Sequence, residues 1–361
     1  MLEQPLTSRQ AISVIVLFNF GSSVVIGVST SVGQDNWLSM LLATLLMIPA
    51  VLMYARILKL NPGQGLFDAI EARLGKVAGK IVTMLMAWYA LHLCALVMRN
   101  FSEFIQISSL LDTPQLPVLV ILVITVCFLA RYGCKALGKW SVVMVQVVLG
   151  IVLLTVLLSL NVMRFDNILP VFEHPFGKIA QDAFSIFAFP FCEAVLFMSF
   201  ADCLRKGDEP RNIYLSGMLL SGLVLLVIIL RNLFVLGASL VSIAYFPSYV
   251  AARIISLGDF LSRIEGSISV NFILAGIVKI TVCLIAASKG ISKLFGTGDY
   301  RQLALPTALL AMALAFVLYK NTMEMFAFIE YYPLYASLFQ VLLPAILWIA
   351  SEIGARRTKT A

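Results

Sequence analysis

Ten apolar stretches follow one another along this chain, each close to the ~20 residues that carry an α-helix across a bilayer. Hydrocarbon offers no partner to a backbone N–H or C=O, so stretches of this kind must pair their polar groups internally, as helices. They run over about 10–31, 36–59, 77–108, 115–133, 139–162, 178–204, 211–236, 267–295, 303–319 and 331–353. Short linkers hold the punctuation: Asn61-Pro62-Gly63, Asp112-Thr113-Pro114, Asp208-Glu209-Pro210 and Gly296-Thr297-Gly298-Asp299. With 61% hydrophobic and 12% charged residues, a soluble domain of 361 residues is excluded. The expected class is an all-α integral membrane protein, multi-pass, with the bilayer as its first partner.

Charge placement predicts the orientation. With both termini cytoplasmic, 18 of the 26 Lys and Arg residues fall on the cytoplasmic side, five fall outside, and Arg99, Arg231 and Lys279 lie within spans. The net charge of +7 is therefore a topology signal, and no nucleic acid is expected as a partner. The start of the chain reads as retained: Glu3 and Arg9 balance, and no small-residue cleavage pattern follows the first apolar run. Trp37, Trp140 and Trp348, with Tyr331, Tyr332 and Tyr335, sit at span edges as an aromatic belt would. The six cysteines lie in or beside apolar runs with no CxxC, and read as small packing residues.

Two spans are interrupted. The sixth contains Phe187-Ala188-Phe189-Pro190-Phe191-Cys192-Glu193, and the first contains Gly21-Ser22-Ser23. Proline removes a helix hydrogen bond, and a carboxylate at bilayer depth is costly and by default functional. Paired interruptions five spans apart point to an inverted-repeat transporter fold with its binding site at the breaks. The expected division is one transmembrane domain, 1–361, with repeats over about 10–162 and 178–353. Amphipathic segments agree with it: Gly65 to Leu74 between spans two and three, and Pro247 to Ile264 between spans seven and eight.

The first break can unwind without side-chain clash and offer carbonyls to an ammonium and a half-helix N-terminus to a carboxylate, which suits an amino acid. The same residues also serve as a small-residue packing face. Glu193 can stay protonated, pair with a base, or hold the backbone of the broken helix; the last is the preferred reading. Lys279, in mid-span eight, either supplies a fixed charge in place of a bound sodium ion or pairs with Glu193 or Glu103. In span three, Arg99 and Glu103 form an i,i+4 pair, and Tyr89 and Leu93 share a face suited to a ligand's side chain. His92 reads as a hydrogen-bonded interior residue, Asp202 as interfacial, Asp182 as part of a vestibule, and Arg231 as solvated near the outer end. No nucleophile–base set, metal-ligand spacing or phosphate loop is present, so neither an enzyme, a cofactor nor a metal is expected.

These residues also carry a resemblance. Ser8-Arg9-Gln10-Ala11-Ile12 precedes the glycine of the first break, and Leu110-Leu111-Asp112-Thr113-Pro114 follows span three. Phe191-Cys192-Glu193-Ala194-Val195-Leu196-Phe197 lies in span six, and Ala286-Ala287-Ser288-Lys289-Gly290 with Phe295-Gly296 closes span eight. Over nearly its whole length the chain resembles the spore germination permease family, the B-type membrane subunits of nutrient germinant receptors, within the amino acid/polyamine/organocation superfamily. The resemblance implies ten spans in a LeuT-like 5+5 inverted repeat with broken first and sixth helices. It implies a nutrient pocket, an amino acid its expected occupant, and a receptor complex with A-type and C-type subunits in the spore inner membrane. A proton-coupled amino acid permease of the same fold is the alternative. By position, Gly21, Tyr89, Leu93 and Val278 match the family's ligand contacts; Ser22, Ser23, Phe189 and Pro190 join them from the two breaks, with Glu193 and Lys279 as coupling or structural charges.

Overall fold

Apolar composition and helix-stopping residues together set the architecture. The computed structural model describes residues 5–28, 31–109, 112–255 and 264–360, and within them the chain is helical almost throughout. The helices are α1 (Ser8–Ile26), α2 (Asn36–Leu60), α3 (Leu66–Ser108), α4 (Gln115–Tyr132), α5 (Cys134–Ser159), α6 (Phe176–Ile186), α7 (Pro210–Ile243), α8 (Pro247–Ile254), α9 (Glu265–Phe295), α10 (Ala304–Leu318), α11 (Thr322–Ser337) and α12 (Leu343–Thr360). Among the described residues, eight helical segments are long and apolar enough to cross a membrane, and α10, with 15 residues, is a shorter apolar helix beside them.

Boundaries follow the expected punctuation with three differences. The tenth span starts early: α11 opens at Thr322, capped by the Asn321 side chain on the Glu324 N–H (2.9 Å), and a widened turn over Leu338–Leu342 joins it to α12. The segment after α2 is helical as expected and runs into α3 through a bend at Gly75. Of the longer amphipathic segment, Pro247–Ile254 forms α8, while Leu257 and Leu261 lie outside the described residues, as do Leu110 and Leu111 of the resemblance.

The third difference concerns the breaks. The sixth span opens as expected: α6 ends at Ile186, the chain widens over Phe187–Phe191 with Phe189 extended (φ −132°, ψ 116°), and a tight helix resumes over Cys192–Cys203. The first does not open at Gly21-Ser22-Ser23. There α1 stays helical to Ile26 and leaves helical geometry only at Gly27 (φ 81°), a backbone conformation suited to glycine. The reason is local. Ser23 Oγ donates back to the Asn19 carbonyl (2.6 Å), a bond serine makes inside a helix without breaking it.

The core gathers where α1, α3, α9 and the broken sixth span meet, around Phe18, Phe20, Tyr89, Phe104, Phe191, Phe200 and Phe272. Outward, α4 and α5 present Ile121, Ile124, Phe128, Val143, Leu153 and Leu157, exposed apolar side chains in a density that only lipid covers. All six cysteines are buried, and none forms a disulfide. Ahead of α1, Leu6 is pinned to the end of the sixth span, its N–H to the Cys203 carbonyl (2.7 Å) and its carbonyl to the Arg205 N–H (3.1 Å).

Candidate functional site

Lys279 lies in the middle of α9 and is fully buried. Its stem crosses α1 at Gly21: a Cβ there would stand 2.6 Å from Lys279 Cβ and closer still to Cδ. Real side chains do not approach so closely, so only glycine admits the lysine, and Gly21 serves close packing between helices. The ammonium reaches Glu193 Oε2 at 2.5 Å, and the rings of Phe18 and Phe189 flank it at 5.3 and 4.9 Å. Both partners are wholly inaccessible, so each charge depends on the other.

Hydrogen bonds extend this pair in one direction. Tyr332 donates its hydroxyl proton to Glu193 Oε1 (2.5 Å), which leaves Tyr89 as donor to the Tyr332 oxygen (3.1 Å). Gln340 Nε2 then donates to the Tyr89 hydroxyl (2.8 Å) and, with its second hydrogen, to the Ala188 carbonyl (2.9 Å). Tyr54 donates to the backbone carbonyl of Gln340 (2.6 Å) and lies 3.5 Å from that of Cys192. Of the carbonyls at the break, that of Ala188 is therefore held by Gln340, whose own backbone carbonyl Tyr54 holds. Glu193, preferred above for that task, instead binds two side chains.

Beside the pair lies a cavity of about 40 Å³, lined by Ser22, Ile26, Leu93, Leu96, Val97, Asn100, Phe189, Glu193, Tyr319, Met325, Phe328, Ile329 and Tyr332. That is room for a few waters, so an organic ligand enters only when the walls move. The Ser22 hydroxyl on this wall has no hydrogen-bond partner. Ile26, Phe189 and Ile329 separate the cavity from a vestibule of about 760 Å³ at one end of the bundle. At the other end a cleft of about 520 Å³ carries Lys289 on Asp202 (2.7 Å) and Lys293 on Asp68 and Glu71 (2.8 and 2.7 Å).

Of the residues expected at the site, Ser22, Leu93, Phe189 and Glu193 reach the cavity wall, and Gly21, Ser23, Tyr89, Pro190, Val278 and Lys279 stand behind it. Arg99 pairs with Glu103 as expected (2.7 Å), and Thr322 and Gln115 add bonds to the same carboxylate (2.6 and 3.1 Å). His92 is interior but packs among rings, stacked on Trp88 at 5.6 Å, with no partner for Nδ1. Asp182 is buried and accepts from the Ser31 hydroxyl (2.6 Å) instead of facing the vestibule. Arg231 is not solvated: it is 3% exposed and donates to Asn232 (2.7 Å), with Nε and Nη1 unpartnered. Tyr332 and Gln340 escaped the sequence reading. Tyr332 passed as a belt residue, yet Tyr331 faces outward (67% exposed) while Tyr332 faces in (5%). Gln340, a polar residue amid Leu338-Phe339 and Val341-Leu342, was the available signal.

An opened central helix over a buried charge pair, with clefts at both ends, is an arrangement found among secondary transporters. The structure of MhsT in complex with L-phenylalanine superposes with a TM-score of 0.67 at 15% identity, covering 95% of this chain and 89% of that one. That of Mhp1, a nucleobase-cation-symport-1 family transporter in a closed conformation, also gives 0.67, at 13% identity over 96% and 78%. The fold is that of LeuT-like transporters, and the chain is a multi-pass membrane protein. It belongs to the spore germination protein family, whose sequence pattern matches residues 5–325. Among its relatives in Bacillus subtilis (strain 168), spore germination protein KB is 25% identical over 354 residues, spanning 97% of this chain and 95% of that protein. Spore germination protein YndE is 21% identical over 298 residues, 80% and 81% of the two chains.

Proposed function

We propose that this chain is the membrane subunit of a nutrient germinant receptor, binding a small nutrient, an amino acid by preference, in the cavity beside Glu193. The observation that carries this is the cavity with an unpartnered Ser22 hydroxyl and a carboxylate on its wall, at the opened helix of a transporter fold. The bound state of MhsT adds support, since a protein of this fold holds L-phenylalanine. The signal is conformational: a ligand that prefers a widened cavity shifts the bundle toward that state. A- and C-type receptor subunits are its proposed partners, the spore inner membrane its place, and ligand response rather than catalysis its task. The 18-to-5 bias of basic residues supports cytoplasmic termini. Packing of α2 along α7 and of α3 along α9 supports two repeats of five spans, since inverted halves bring equivalent helices together.

Clefts at both ends of the bundle favour a second reading, a proton-coupled amino acid permease with the Glu193–Lys279 pair as its coupling element. Purified protein in liposomes separates the two when binding and uptake of labelled amino acids are measured together. Saturable binding without uptake is expected for the receptor. Uptake driven by a pH gradient establishes the permease, and absence of both rejects the ligand site.

A further inference from the structure

We infer that Glu193 recognises an amine on the ligand and exchanges Lys279 for it, so that the ligand class is a primary amine carrying an apolar body. The inference rests on the proposal that the cavity beside Glu193 is the ligand site.

Among the described residues, Glu193 is the one charged side chain on the cavity wall, and Lys279 approaches the same carboxylate from behind that wall. A cation entering the cavity meets the carboxylate before it meets the lysine. A carboxylate offers about four acceptor positions, of which Lys279 and Tyr332 occupy two, so a third donor can dock before the first leaves. Ser22 presents a second acceptor with no partner of its own. The opposite charge has no counterpart there. Among the described residues, no Lys, Arg or His lines the cavity, and a ligand carboxylate would find only neutral donors such as Asn100 and Tyr319. The remaining wall, Ile26, Leu93, Leu96, Val97 and Phe328 among it, suits an aliphatic or aromatic body.

Exchange does not strand Lys279. The rings of Phe18 and Phe189 already flank its ammonium. Charge balance in the buried site is kept when Lys279 gives its proton to solvent: one ammonium, the ligand's, replaces another, and one proton leaves per ligand bound. The titratable groups around it are Glu193 and Cys192 on the sixth span, Tyr332 on α11, Tyr89 and Cys94 on α3, and Cys283 on α9; α1 contributes only Phe18 and Gly21. Phe189 both touches the ammonium and closes the cavity, so release of Lys279 acts directly on the wall that must open.

The test is calorimetry on the full chain in nanodiscs with 3-methylbutan-1-amine, L-leucine and 4-methylpentanoate, in buffers of different ionisation enthalpy. The amine and leucine are expected to bind with about one proton released per molecule, and the acid not to bind. Lys279→Met leaves Glu193 to take up a proton in its buried site, so proton release continues there, now from the carboxylate. Lys279→Arg, which keeps the pair but cannot deprotonate, lowers amine affinity by about tenfold and abolishes the proton release; Lys279→Met with Glu193→Gln, which strands neither charge, loses both, and covers the case in which the Arg variant fails to fold. Binding of the acid as tight as the amine, binding of none of the three, or proton release that survives in the Arg variant or in the double variant overturns the exchange. Val97→Trp, which fills the cavity, separates the two ideas. Amine affinity unchanged in that variant rejects the cavity itself, whereas lost affinity together with unmoved proton release in Lys279→Arg rejects only the exchange.

Discussion

Two helices of this bundle carry interruptions of similar appearance in sequence, and only one of them opens at that point. In the sixth span, Pro190 has no N–H to give and the chain widens around it, and the Ala188 carbonyl is met by Gln340 from another span, itself held by Tyr54. In α1, Gly21-Ser22-Ser23 keep every N–H, and Ser23 turns its hydroxyl onto the backbone of its own helix. Glycine and serine permit unwinding without requiring it. Proline requires a partner for what it removes. The glycine of α1 is used for proximity instead, letting the stem of Lys279 pass so that its charge reaches the opened helix.

The contrast can be broken or sharpened by substitution. The largest effect is expected at the charge pair. Lys279→Met or Glu193→Gln alone strands a buried partner and costs ~3–5 kcal/mol of stability, whereas the double change recovers much of it. A double-mutant cycle on thermal unfolding in detergent reads the coupling, and additive losses would show that the pair is not a unit. Gln340→Leu comes next. It leaves the Ala188 carbonyl without its donor and should cost ~1–3 kcal/mol, with the loss absent if the opened helix were self-sufficient. Gly21→Ala forces a methyl against the Lys279 stem and should cost ~1–3 kcal/mol through strain; no loss would mean that α1 and α9 have room to separate. Ser23→Ala is the smallest, about 0.5–1.5 kcal/mol, because α1 remains a helix without the hydroxyl.

The spans were legible because hydropathy and proline–glycine punctuation act within a few residues of one another. Thr322 escaped because α11 begins with polar residues, including Glu324, beyond the apolar run. The opened sixth helix was legible from Pro190 and Glu193, and the Lys279–Glu193 pair was among the partnerships that two intramembrane charges imply. The rest of the network depends on which way neutral side chains face. Tyr331 and Tyr332 are adjacent and chemically alike, yet one faces outward and the other donates to Glu193, a choice set by helix phase within the bundle. Arg231 illustrates the same limit, since its depth depends on the packing of α7 against its neighbours and not on its distance from a span end.

The central claim is that the cavity beside the opened helix is where the nutrient acts. Two tryptophan substitutions in spores test it most directly: Leu93→Trp, which fills the cavity, and Ile124→Trp on the apolar outer surface of α4 (64% exposed). Each variant's level in the membrane is measured alongside nutrient-triggered germination. With both present at wild-type level, the account predicts that Leu93→Trp abolishes the nutrient response and Ile124→Trp preserves it. A wild-type dose response in the Leu93→Trp spores would contradict it.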